Sequence, residues 1–321
     1  GIVEVNSTAH FIPPSGTTAE RGSRGRGIFA GGYQGPGDQN TIDYITIATL
    51  GNATDFGDKS TGNNRLFASC SSSTRSLFGG GYSPTTSTID YIEIHSTGNG
   101  FKFGDLLVAK YGVGAASNST RGIFAGGHPN SGTYKQLQYV TIASKGNTSS
   151  FGELTAGRNY PSCLSSPTRM LIGGGYRSPA SINSIEYITI ATTGNGQDFG
   201  DLTEPAMGTD SGASSPTRGL FAGNDTTVTR RNIIDYVTIA TLGDAADFGD
   251  LTTKRGAPGG TSNSIRAVFA GGNTSGPSPH VVVDTIDYVT IATTGNAADF
   301  GDRTITASYV AGSSDSHGGL G

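Results

Sequence analysis

Between Ile42 and Asp58 the chain reads IDYITIATLGNATDFGD: a β-branched and aromatic run, a Gly-Asn turn signal, then Phe-Gly followed by an acid. The pattern returns six times. Its tyrosine stands at Tyr44, Tyr91, Tyr139, Tyr187, Tyr236 and Tyr288, and its phenylalanine at Phe56, Phe103, Phe151, Phe199, Phe248 and Phe300. Both series step by 47, 48, 48, 49 and 52 residues. A second motif precedes each copy, as RGIFAGG at 26–32, RSLFGGG at 75–81 and RAVFAGG at 266–272. Before most of these lies a run of small residues such as AASNST or CLSSPT. Each unit therefore predicts four short strands: a, the small-residue run; b, Arg-x-apolar-Phe stopped by a Gly pair; c, the IDYITIAT run; d, around FGDLT. The assignments rest on β-branched and aromatic enrichment bounded by Gly, Asn and Asp. No segment has the length and 3.6-residue apolar period of a helix.

A four-stranded unit of roughly 40–50 residues has the size of a propeller blade. Strand c can be apolar on both sides because neighbouring blades cover both faces of each sheet. Small residues in strand a suit the crowded axis. The Gly pair suits positive φ, which glycine adopts without a Cβ clash, and in the fifth copy Asn224 takes its second place. The expected fold is all-β, a six-bladed propeller over 26–321 with residues 1–25 as an N-terminal arm or linker. The first copy has a poor strand a, AERGSRG at 19–25, whereas YVAGSSDS at 309–316 matches PGGTSNS at 258–264 in its spacing from the preceding Phe-Gly. The C-terminus is expected to supply the inner strand of blade 1 and close the ring. The alternative is a degenerate strand a at 17–25 with a frayed C-terminus.

The Gly-Gly after an apolar strand, the Arg before it, the Tyr in the next strand and an aromatic in the fourth resemble the kelch repeat. Phe stands where kelch repeats usually carry Trp, and Trp is absent from the chain. The wording TIATTGNAxDFGDLT…SSxTRGxFAGG is similar to propeller repeats of marine bacteriophages, especially cyanophages, in virion and tail-associated proteins. The resemblance covers about residues 26–316. It implies a non-enzymatic virion component at the particle surface (tail fibre, receptor-binding or capsid-surface) that binds a host surface glycan or a neighbouring virion protein within a larger assembly or homo-oligomer. A secreted or surface sugar-binding propeller is the alternative, and an enzyme with an axial active site a third. Propellers host many activities, so the fold alone does not choose among these.

Composition narrows the field. Charged residues make up 14% of the chain and the formal net charge is −4, which offers no basic stripe for nucleic acid. The regular return of β-branched and aromatic residues argues against the disorder that abundant Gly, Ser and Thr could suggest. No run approaches the 18 or so apolar residues of a membrane span. The start GIVEVNSTAHFIPP lacks the order of a signal peptide. Gly1 in place of Met leads us to expect a processed chain or part of a longer one. Cys70 and Cys163 cannot build a disulfide framework or a metal site. In strand a of non-adjacent blades they are expected to be two small buried thiols.

Asp-Phe-Gly invites comparison with a nucleotide enzyme's metal motif, but six evenly spaced copies cannot converge on one substrate. The expected role is structural: Phe packs between blades. The six Arg of strand b (Arg26, Arg75, Arg121, Arg169, Arg218, Arg266) are expected to pair with the acids after Phe-Gly (Asp58, Asp105, Glu153, Asp201, Asp250, Asp302) in or between blades. The Asn- and Asp-bearing turns lack the carboxylate alternation and terminal Glu of an EF-hand calcium loop. The five histidines show no metal-ligand spacing. No local motif points to the copper-site Tyr and His set of the kelch-related galactose oxidase, and no nucleophile elbow stands in convincing context. No cofactor or metal is expected. The c–d turns are nearly uniform, while the b–c and d–a loops, which share the opposite face, differ from blade to blade. Tyr33, Tyr82, Tyr134, Tyr176, Arg177, Arg230, Arg231 and His280 lie in these varied loops and are the candidate binding residues, by chemistry suited to recognition.

Overall fold

A computed structural model of the chain describes residues 25–320, apart from 36, 63, 130–133, 209, 224–228 and 276–280. Six antiparallel four-stranded sheets form a propeller ring. The innermost strands a are Ala68–Ser71, Gly114–Ser117, Ser162–Ser165, Gly212–Ser214 and Gly259–Ser262 in blades 2 to 6. In blade 1 this place is taken by Ala311–Ser314, which pairs antiparallel with Arg26–Tyr33. The C-terminus thus closes the ring, as the spacing predicted. Strand d is shorter than expected: it ends at the acid of Phe-Gly-acid, as in Phe101–Asp105 and Ala298–Asp302. The chain's one short helical piece among the described residues is a 3-10 turn, Gly318–Leu320.

The core is divided among the six blade junctions. Ile28, Ile42 and Phe56 of blade 1 pack against Phe78, Ile92 and Ile94 of blade 2, and Phe29, Ile45 and Ile47 pack against Val268, Ile286 and Phe300 of blade 6. Equivalent clusters fill the other four junctions. Both faces of each sheet carry apolar side chains, and the neighbouring blade on each side buries them.

The Phe-Gly-acid motif joins blades through its backbone. In every blade the c–d pairing shifts register there, as between Ile42 and Asp43 opposite Gly57 and Asp55, which leaves Phe56 as the extra residue of a bulge. The bulge turns the ring inward, edge-on to the tyrosine of strand c; the Tyr44–Phe56 centroids are 6.0 Å apart at 83°. It also offers the backbone of strand d to the next blade's c–d turn. Gly98 N–H donates to Phe56 O (2.8 Å) and Gly100 N–H to Asp58 O (2.7 Å), while Asn99 Oδ1 accepts from Asp58 N–H (3.0 Å). The same hook recurs around the ring, ending with Gly51, Asn52 and Ala53 of blade 1 on strand d of blade 6. The two backbones meet so closely that a Cβ on Gly104 would lie 2.0 Å from Gly146 O. Uniform c–d turns are therefore a packing requirement.

The expected pairing of the strand-b arginines with the acids after Phe-Gly is not what the structure contains. Each arginine lies over its own blade's tyrosine, as Arg26 over Tyr44 at 4.4 Å, and donates to a carbonyl at the end of strand c in the following blade. Arg26 Nη1 reaches Ile94 O (2.8 Å), Arg121 Nη1 reaches Ile190 O (3.0 Å) and Arg266 Nη1 reaches Ile47 O (2.8 Å); Arg75, Arg169 and Arg218 do the same. Asp58, Asp105, Glu153, Asp201, Asp250 and Asp302 take part through main-chain N–H and C=O groups, and their carboxylates are at least partly exposed. The buried charges lie elsewhere. The residue before each repeat tyrosine in strand c (Asp43, Asp90, Gln138, Glu186, Asp235, Asp287) is buried and accepts hydrogen bonds from a Thr, or from Ser60 and Thr61, just past strand d of the preceding blade; at Gln138 the preceding blade supplies only Leu107 N–H, and the Thr is its own blade's Thr148.

Candidate binding face

At the axis the strand-a serines form a closed belt. Ser71 Oγ donates to Ser314 O, Ser117 to Ser71 O, Ser165 to Ser117 O, Ser214 to Ser165 O, Ser262 to Ser214 O and Ser314 to Ser262 O, all between 2.6 and 2.8 Å. The belt encloses a cavity of about 40 Å³ lined largely by Ser, Ala and Gly, with Cys70 and Cys163 on its wall. That is room for a few water molecules and too little for a sugar ring. Both thiols are free and buried, and burial pushes both up from their usual range.

The two mouths are built differently. On the c–d side His317 stands over the belt, with Nε2 3.0 Å from Ser71 O, and the 3-10 turn packs so tightly that a Cβ on Gly319 would meet Ser117 O at 1.9 Å. Burial lowers the His317 pKa to about 4 against the raising effect of the Ser71 carbonyl. On the b–c and d–a side the Asp210 carboxylate reaches across from blade 5, accepting from Ser69 N–H (3.0 Å), Ser69 Oγ (2.6 Å) and Gly312 N–H (3.1 Å). Burial outweighs these bonds and raises its pKa to about 7. Around this mouth the residue two places ahead of strand a has positive φ in every blade: Leu66, Gly112, Tyr160, Asp210, Ala257 and Tyr309, between 53° and 61°. Recurrence in all six marks the conformation as part of the ring's turn; the side chains placed there differ freely.

The tyrosines divide cleanly. Six of the 13 belong to the repeat, and the other seven (Tyr33, Tyr82, Tyr111, Tyr134, Tyr160, Tyr176, Tyr309) all lie in b–c or d–a segments on this one face. Several converge. Arg65 lies between Tyr33 (4.4 Å to the centroid) and Tyr82 (5.2 Å) and is fixed by Asp38 at 3.1 Å. Tyr82 meets Tyr111 edge-on at 4.8 Å, Tyr111 stacks on His128 at 5.0 Å, and Tyr160 follows at 6.4 Å. Main-chain pairing of d–a with b–c residues, Arg65 with Tyr82 and Tyr111 with His128, holds the strip in place. Tyr82 is the most open member, at 38% exposure.

Of the sequence candidates, Tyr33 and Tyr82 are brought together in this strip. Tyr134 lies half-buried with Lys110 Nζ 5.6 Å from its ring centroid, and Tyr176 and Arg177 form a small hairpin with Ala180 and Ser181. Arg230 bonds Asn273 and Arg231 pairs with Glu204. His280 lies outside the described residues. The sequence reading missed Arg65, Tyr111, Tyr160, Tyr309 and His128. A tyrosine two or three residues ahead of strand a, in KYGVGAAS, NYPSCLSS and SYVAGSSDS, was the available signal for three of them.

Among the described residues no group of three or more His, Cys, Asp or Glu is placed to hold a metal ion, and no helix is long and apolar enough to cross a membrane. No protein-family model matches the chain, and no curated protein matches it. The architecture defines a six-bladed β-propeller of four-stranded blades closed by its C-terminal strand.

Proposed function

We propose that this propeller is a recognition disc of a bacteriophage virion, binding a host surface glycan or a neighbouring virion protein through its b–c and d–a face. The observation that carries the reading is the placement of every tyrosine outside the repeat on that one face. Tyrosine brings a large rigid contact area with a polar end at small entropic cost, the property recognition surfaces use. Loops held by a rigid ring vary without disturbing the core, so contacts can be changed at constant fold. The opposite face is occupied by the blade-to-blade hooks and has no such latitude. The kelch-like repeat and its phage-like wording contribute the virion setting. The test replaces the b–c loops of blades 1 to 4 by one short uniform turn. Adsorption of the protein to host cells and to its parent particle should disappear while the melting temperature holds. Unchanged adsorption sinks the reading.

A further inference from the structure

We infer that the strip formed by Tyr82, Tyr111, Tyr160 and His128, with Tyr33 and Arg65 at its end, is a subsite for a neutral sugar residue of a glycan. The inference rests on the recognition reading and deepens it by naming the ligand chemistry. Three features carry it.

The strip is aromatic rather than aliphatic, its rings tilted against one another by 60° at Tyr82–Tyr111 and 49° at Tyr111–Tyr160, with Tyr82 the ring most open to a ligand. An open aromatic ring such as Tyr82 packs against the C–H face of a pyranose, and a phenol can bond the sugar's hydroxyls. Two buried atoms beside the strip, His128 Nδ1 and Asn159 Oδ1, have no hydrogen-bond partner within the protein among the described residues. Asn159 sits beside Tyr160 in the chain and pairs through its main chain with Tyr176, so it borders the same mouth. A ligand rich in both donors and acceptors suits that border better than an apolar one.

Charge selects the neutral class. Arg65 is engaged by Asp38 and two rings; Lys110, beside Tyr111, is wholly buried with Nζ on Gly126 O at 2.8 Å, and Arg158, beside Asn159, is buried and paired with Glu186. Among the described residues the strip itself therefore offers no uncommitted cation to a carboxylate or sulfate; the exposed Arg177 lies outside it, in the hairpin with Ala180. Burial of phenols next to phenols raises the pKa of Tyr111 and Tyr160, so both stay protonated and able to donate.

The chain has no Trp, so its intrinsic emission comes from its 13 tyrosines, and the Tyr82 and Tyr111 variants assign any change to the strip. The intact protein is titrated with chitotetraose, cellotetraose, maltotetraose and β-1,4-galactotetraose, each followed by tyrosine emission and by calorimetry. At least one should bind and change the emission. Tyr82→Ala and Tyr111→Ala should each weaken that binding by about five- to tenfold. Tyr82→Phe should retain most of it, and Leu242→Ala, exposed in a c–d turn on the opposite face, should leave it unchanged. No binding by any of the four sugars at millimolar concentration overturns the sugar assignment, as does binding indifferent to the Tyr82 and Tyr111 changes. If the sugars fail while loop replacement still abolishes adsorption, the recognition face stands and its ligand is of another class. If adsorption survives loop replacement, the recognition reading itself falls.

Discussion

Arg303 of blade 6 and Asp43 of blade 1 form an ion pair that is wholly buried at the seam where the ring closes, with Nε and Nη2 each 2.9 Å from Oδ2. Asp43 also accepts from Thr304. Comparable pairs, Arg158–Glu186 and Arg255–Asp287, cross two other junctions. Breaking a buried pair strands the remaining charge, which costs about 3–5 kcal/mol, whereas replacing both members by apolar residues costs far less. Asp43→Ala should therefore lower the unfolding free energy by about that amount, and Asp43→Leu with Arg303→Met should recover most of it. Denaturant unfolding of the parent and these two variants decides; a double variant no more stable than Asp43→Ala refutes the pairing.

The seam depends equally on strand a of blade 1. Removing 311–321 takes away the inner strand paired with Arg26–Tyr33, the Ser314 link of the serine belt and the His317 plug. The truncated chain should lose its single cooperative melt, and a synthetic peptide of 305–321 added in excess should restore part of it. A truncated chain that melts like the full one contradicts closure by this strand.

The blade hooks predict a steric effect at glycines that lie outside positive φ. Gly104→Ala places its Cβ against Gly146 O and should cost about 1–3 kcal/mol. Gly37→Ala, where a Cβ meets nothing within 4 Å, should be close to neutral. Melting temperatures of the pair check this, and equal values would falsify the close backbone approach.

Lys110 is a buried cation with no counter-ion among the described residues. It stands seven residues after Phe103, as Arg158 and Arg255 stand after Phe151 and Phe248, but strand c of its next blade carries Gln138 where theirs carry Glu186 and Asp287. Burial lowers its pKa from 10.5 to about 7. The folded chain then holds fewer protons than the unfolded one between about pH 7 and 10.5, so this group makes stability rise with pH across that window. Lys110→Met should raise the melting temperature at pH 7 and flatten the rise. An unaltered pH profile shows the lysine to be already compensated.

Asp210 predicts the opposite slope. Its pKa is raised by burial from 3.8 to about 7, so the folded state binds the extra proton and stability falls as pH climbs through that range. Asp210→Asn keeps an oxygen to accept from Ser69 and Gly312 and removes the charge. It should be more stable than the parent above pH 7 and remove most of the fall. A variant less stable at pH 8 rules out a cost of charging at this mouth.

Blade number, strand order and the closing strand were legible because they are written in repetition: six tyrosines and six Phe-Gly pairs at near-constant spacing, and a C-terminal small-residue run in register with the others. The structural nature of Asp-Phe-Gly was legible for the same reason. Tyr33 and Tyr82 could be singled out because they stand in loops that break the repeat. Two matters were decided only by the packed ring. Repetition shows that Arg26 and Asp58 recur together but not that they ignore each other; their partners, Ile94 O and the Asn99 turn, belong to the next blade, 68 and 41 residues away in sequence. Convergence at the axis is likewise invisible along the chain. Tyr82, Tyr111 and Tyr160 come from three successive blades, and only closure of the ring, driven by burial at six junctions, brings their rings within 4.8 and 6.4 Å of one another.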